Sequence, residues 1–181
     1  MQYLNTEERL RLWEVAESQN HEHALILKLG FWHALRISEI VPSRMKDPNP
    51  DSGLRGHQIQ DGWICVQRLK SSRRTMQPLH PDLVELKERA RLNPNGFLFN
   101  VSRQRVDEFV KRYAKMAGLH HDKAHFHCAA KHSLAMELWN VTHSLGQIQS
   151  YLGHKSAASS LQYLSEVDHN KAIAAVEQIA A

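Results

Sequence analysis

The segment HALILKLGFWHAL, residues 23–35, is apolar on most faces. A helix with no polar side has nothing to turn toward water, so the pattern predicts a buried helix. The chain has 181 residues, enough for one domain with a sizeable core around it. Upstream, NTEERLRLWEVAESQ predicts a helix opened by a capping box, Asn5 with Glu8, with Leu10, Trp13 and Ala16 on its apolar side. Downstream, RISEIVPSRM predicts a short helix that Pro42 ends or bends, and DPNPDSGLRG predicts a loop.

One β region follows. GWICVQRLK reads as a strand, SSRR as a turn and TMQPL as a returning strand. HPDLVELKERARL is helical, with Leu83, Leu86 and Ala90 on one side, and NPNG breaks it. SRQRVDEFVKRYAKMAG is a basic amphipathic helix closed by Gly118. From Lys131 onward the pattern is helical, with breaks near Thr142–Ser144 and at Gly153–His154. No internal repeat, low-complexity tract or long linker divides the chain. The expected fold is mainly α with a small antiparallel β-sheet (α+β), in a single domain spanning 1–181.

The net charge is +4 with neutral histidines and the pI is about 9.2, a balance that favours a polyanionic partner such as nucleic acid. Cys65 and Cys128 are the only cysteines and stand in unlike contexts, so no disulfide framework is expected. The start is charged almost at once and no stretch approaches a membrane span, so the expectation is a cytoplasmic protein with no membrane partner.

Four separated pieces carry chemistry. In ALRISEI, Arg36 stands between an apolar helix and a short one, where it suits a phosphate gripped by two parallel hydrogen bonds, or a structural pair with Glu39. In RLKSSRRTMQPL, Lys70 stands at the strand's entry to its turn, followed by Arg73 and Arg74. A lysine there can reach DNA and donate a proton; the plainer reading is a solvated basic turn. In HFHCAAKHSLAMELW, Lys131 and His132 open a helix behind His125 and His127, where cations and backbone N–H groups suit a phosphate. His120, His121, His125, His127, Cys128 and His132 include potential metal ligands, but no pair has a zinc-motif context, so no metal is expected. The last piece, LGHKSAASSLQYL, places Tyr163 nine positions after His154, with little side-chain bulk between. A tyrosine attacks a phosphodiester when its proton is removed and the phosphate charge is neutralised.

Together these pieces resemble, in order and spacing, the catalytic domain of the tyrosine recombinase (phage integrase) family, over nearly the whole chain. ALRISEI resembles the first arginine box. RLKSSRRTMQPL resembles the β-hairpin lysine box, with Lys70 eight residues before Pro78. KHSLAMEL resembles the second arginine box, and LGHKSAASSLQYL the Gly-His-to-tyrosine segment. The resemblance implies a site-specific DNA recombinase that needs no cofactor. Tyr163 would form a 3′-phosphotyrosyl link and release a 5′-hydroxyl. Arg36 and Lys131 would hold the non-bridging oxygens, Lys70 would protonate the leaving oxygen, and His154 would donate to the phosphate. Double-stranded DNA is the implied partner, contacted through Arg36, Lys70, Arg73, Arg74, Arg103, Arg105, Lys131 and Lys155. Family members work as tetramers on paired sites, and the implied assembly is a homo-oligomer in which the C-terminal helix, HNKAIAAVEQIAA, exchanges between protomers or packs on its own domain.

The sequence departs from the family pattern in two respects. The second box usually reads His-x-x-Arg-His, and here Cys128 and Lys131 stand at the first histidine and the arginine. Lysine keeps the charge without the planar fork, and a thiol is a poor acid–base, for which His127 is the candidate replacement. The chain also reaches its catalytic start almost at Met1, so no separate N-terminal clamping domain is expected: either it is an excised fragment or it belongs with the short members, which resemble the fimbrial phase-switch recombinases. Two other readings stand beside recombination: an accessory DNA-binding protein of the family with impaired catalysis, and a type IB topoisomerase-like strand transferase.

Overall fold

A computed structural model describes residues 2–43, 52–70, 72–156 and 158–161. Helix α1, Thr6–Gln19, begins with the capping box in place: the Asn5 side chain accepts from the Glu8 N–H at 2.8 Å, and the Glu8 carboxylate accepts from the Asn5 N–H at 3.0 Å. Arg9, Leu12, Trp13 and Ala16 form its buried face, while Leu10 points outward at 51% exposure. Arg9 is tolerated inside because its guanidinium lies over the rings of Trp13 and Phe31 and pairs with Glu137 at 2.9 Å. Asn20 ends α1 and caps the next helix with its side chain, so the two run as a hairpin.

Helix α2, His21–Trp32, is the buried rod that the apolar pattern predicts, with Ala24 through Leu27, Leu29 and Phe31 all inside. Gly30 permits a close approach, since a Cβ there would stand 2.4 Å from the Phe126 ring. α2 ends at Ala34, which adopts a left-handed conformation (φ 50°), and the short α3, Ile37–Ile40, follows, capped by Arg36. Of the predicted loop at 47–56, residues 52–56 are described; the rest lies outside the described residues.

The sheet has three antiparallel strands in the order β1-β2-β3: Ile59–Gln60, Trp63–Val66 and Thr75–Pro78. Val66 pairs with Thr75 and Ile64 with Gln77, and these four side chains face the core. The ladder ends at Val66 rather than running to Lys70, because Arg68 turns inward. β1 has no counterpart in the sequence reading; two residues are too few to show a period of two.

Helices α4, Glu85–Leu92, and α5, Arg103–Met116, follow as expected, with Leu83, Leu86 and Ala90 buried and Gly118 left-handed (φ 68°) after α5. The next helix starts earlier than Lys131. It begins near Phe126, passes through a π turn at Cys128–His132 and continues as α6, Ser133–Thr142. The Ser133 hydroxyl donates to the Cys128 carbonyl at 2.5 Å and accepts from the Leu4 N–H at 2.8 Å, tying the N-terminal segment to the wide turn. Lys131 therefore sits inside a helix, not at its start. Helix α7, Leu145–Leu152, and the short α8, Ala158–Leu161, come last among the described residues. Among the described residues, no helix is long and apolar enough to cross a membrane.

Gly153 closes α7 in the left-handed region (φ 69°), and its carbonyl accepts from the Arg73 N–H at 2.8 Å. A Cβ at this position would come within 2.8 Å of the Arg73 carbonyl. Gly153→Ala is expected to destabilise the protein by at least about 1–2 kcal/mol from backbone conformation alone, with the clash adding to it. Urea unfolding of the two chains measures it.

Candidate active site

The site is built around a carboxylate. Glu39 lies on α3 with a fully buried side chain, and burial alone would raise its pKa. Arg68, the N–H groups of Arg36 and Leu69, and the Arg36 guanidinium outweigh that and hold it below the usual carboxylate range. Arg68 donates to Glu39 at 3.2 Å, to the carbonyls of His33 and Ala34 at 2.7 and 2.9 Å, and to the Thr75 hydroxyl at 2.8 Å. It thus satisfies the C-terminal carbonyls of α2 while anchoring the hairpin. Leu69 N–H donates to Glu39 at 2.9 Å. Arg36 donates to Glu39 at 2.9 Å, to the Leu69 carbonyl at 3.2 Å and to the Ser72 hydroxyl at 3.3 Å. The pairing of Arg36 with Glu39 is realised.

Arg36 opens onto a hollow of about 1290 Å³. Lys70, Ser72, Arg103, His127, Lys131, His132, His154 and Lys155 share its lining. Five separated stretches of sequence therefore meet at one concavity. Lys70 adopts a left-handed backbone (φ 56°) and is exposed at the rim.

Lys131 is only 6% exposed, and its ammonium has no hydrogen-bond partner among the described residues. Burial first, then the positive charges of Arg36 and Arg68, push its pKa down to about 7, against the opposing pull of Glu39. His154, on the turn after α7, is buried and bonded through Nδ1 to the Ser160 hydroxyl at 2.8 Å. Burial, with Lys131, Arg36 and Arg68 behind it, lowers its pKa to about 4, so the imidazole is neutral at physiological pH. Ser160 ties the Gly-His turn to α8, a role no sequence signal marked.

The remaining residues named from sequence are dispersed. Arg73 meets Gly153 through its backbone; Arg74 lies across the sheet, its Nε 2.9 Å from the Cys65 sulfur. Arg105 pairs with Glu108 on the outer face of α5. None of these three lines the hollow. His127 lines it, whereas the Cys128 thiol is buried and pushed up to about 11, which rules it out as an acid–base near neutral pH. Tyr163 and the C-terminal helix lie outside the described residues, Tyr163 two positions after the end of α8. Glu39 and Arg68 are the residues that sequence reasoning missed as parts of the site. Only their places beside Arg36 and Lys70 could have signalled them.

A family profile described as the phage integrase family matches residues 2–170. No curated protein sequence matches the chain. By fold, the chain is similar to the XerH site-specific recombinase bound to palindromic difH substrate in a post-cleavage complex. There the TM-score is 0.66 and the identity 20%, over 99% of this chain and 54% of that one. It is also similar to the XerA recombinase, with TM-score 0.69 and 19% identity, over 99% and 65% of the two chains. The catalytic domain of bacteriophage HP1 integrase gives TM-score 0.61 and 16% identity, over 91% and 88%. The chain thus spans 54% of the XerH chain and 65% of the XerA chain.

Removing one partner of the buried pair leaves the other charge uncompensated, so Glu39→Gln is expected to cost about 3–5 kcal/mol in urea unfolding. Lys131 behaves oppositely. The folded state gives up its proton near pH 7, while the unfolded chain keeps it until about 10.5. Its burial therefore costs stability below pH 7, and the cost fades as pH rises toward 10. Lys131→Met is expected to stabilise the DNA-free protein by about 1–3 kcal/mol at pH 6, the gain shrinking by pH 9, in unfolding curves at the two pH values.

Proposed function

The chain belongs to the phage integrase family, and from that premise we propose that it cleaves and rejoins DNA as the catalytic domain of a site-specific recombinase. One observation carries the reading: a buried ammonium with no partner among the described residues, Lys131, lines the same hollow as Arg36, Lys70 and His154. A scissile phosphate supplies the anion that this arrangement lacks. Its non-bridging oxygens take hydrogen bonds from Arg36 and Lys131, and binding draws Lys131 back to its charged form. His154 donates a further hydrogen bond. Because these donors are held in place before substrate arrives, the charge that builds in the transition state meets fixed dipoles instead of water.

Tyr163 attacks phosphorus, forming a 3′-phosphotyrosyl bond as the bond to the 5′-oxygen breaks. Lys70 gives the leaving oxygen its proton, and His127 is the candidate acceptor of the tyrosine proton. The bond energy stays in the phosphotyrosine, and attack by a 5′-hydroxyl of a second duplex reverses the chemistry. Tetramers on paired sites and exchange of the C-terminal helix belong to the same reading, as does DNA contact through Arg103 and Lys155 at the hollow and Arg73, Arg74 and Arg105 outside it. The likeness in fold to XerH bound to its DNA substrate and to the HP1 integrase catalytic domain supports it.

Incubation with nicked duplexes carrying candidate sites is expected to trap a covalent protein–DNA adduct on denaturing gels. Tyr163→Phe should abolish the adduct while leaving DNA binding intact, and Lys131→Ala should slow its formation by about 10²–10³-fold. An adduct that persists in Tyr163→Phe removes the nucleophile assignment. The second-box thiol favours one other reading, an accessory DNA-binding protein, for which DNA binds and no adduct forms on any nicked substrate.

A further inference from the structure

Cys128 and His132, four apart, face the same side even of an ordinary helix; the π turn at Cys128–His132 brings His127 to them as well. In a regular α-helix, positions 127, 128 and 132 do not share one point on the surface. The wider turn moves the position five residues on into line, and the rings of His127 and His132 meet edge to face with centroids 4.9 Å apart. The ligand atoms of His127, Cys128 and His132 all lie within 4.8 Å of one another.

We propose that His127, Cys128 and His132 form a binding site for one Zn²⁺ ion. Two imidazoles and a thiolate suit a borderline-soft divalent ion in tetrahedral geometry. Zinc bonds of about 2.0–2.3 Å set tetrahedral ligand atoms roughly 3.3–3.7 Å apart, so side-chain rotations of at most about 1.5 Å close this cluster on an ion. The outer shell is partly built. His132 Nδ1 lies 3.2 Å from the Gln2 carbonyl, an oxygen that only accepts, so Nδ1 carries the proton. A metal-bound histidine held by a backbone carbonyl through its other nitrogen is the usual second-shell arrangement. The fourth position falls to water or to His125, whose ring stacks on His127 with centroids 5.5 Å apart. On binding, the Cys128 S–H bond breaks, its proton goes to solvent, and the sulfur lone pair bonds the metal.

The site takes up His127, the candidate acceptor of the tyrosine proton, so an ion bound there is expected to hold back strand cleavage; its test needs no DNA. The full chain, kept reduced with a phosphine, is titrated with Co²⁺ and then with Zn²⁺. The expected result is one equivalent bound with a thiolate-to-cobalt charge-transfer band, which Zn²⁺ abolishes and which is missing in Cys128→Ser but present in Cys65→Ser. A band that follows Cys65 overturns the proposal. So does stoichiometric binding that survives Cys128→Ser and is lost in His121→Ala, because the ion would then belong to the exposed His120, His121 and Asp122 cluster. Zinc-edge X-ray absorption on the native chain needs no variant. One sulfur neighbour beside nitrogen is expected, and a shell without sulfur refutes the site.

Discussion

The Glu39 carboxylate is the point from which the rest of the site is hung. Burying a carboxylate and a guanidinium together is costly unless every lone pair and N–H finds a partner. Here Glu39 accepts from two guanidinium groups and two backbone amides, and Arg68 spreads its donors over Glu39, two helix-terminal carbonyls and a strand hydroxyl. That single network joins the end of α2, the start of α3 and both arms of the hairpin. The relative positions of Arg36 and the lysine hairpin follow from it. Without it, the loop from Val66 to Thr75 would lose its ties to the end of α2 and the start of α3.

Around this anchored carboxylate the charges are unbalanced. Arg36, Arg68 and Lys131 face one buried acid, and their mutual repulsion, with burial, lowers the proton affinity of Lys131 and His154. Among the described residues, the site holds positive charge that no side chain neutralises. Such an arrangement costs stability in the absence of a ligand and gains it when an anion arrives, the usual exchange between stability and function at preorganised sites.

Much of this was legible beforehand, for identifiable reasons. The buried α2 follows from an apolar run with no polar face, and the α1 cap from two residues at the right spacing. Arg36, Lys70, Lys131 and His154 were readable because each sits in a short local pattern. Glu39 and Arg68 were not, because nothing in a sequence distinguishes a surface Glu–Arg pair from a buried one made by residues 29 positions apart. The π turn was hidden because hydrophobic periodicity is blind to one extra residue in a turn, and Leu10 misled because an arginine, Arg9, took the inner place beside aromatic rings. Tyr163 was legible as a motif, while its position relative to the hollow lies outside the described residues.

The tie between the hairpin and the end of α7 runs from main chain to main chain, from the amide of Arg73 to the carbonyl of Gly153. An amide is common to every residue but proline, so the latch is blind to which side chain position 73 carries. Residues on the outer surface of the hairpin can be exchanged, one sequence to the next, without disturbing the register between the lysine-bearing loop and the histidine-bearing turn. Surface chemistry and internal alignment are thereby uncoupled, which leaves a lineage room to retune what the hairpin touches while the spacing of loop and turn stays put.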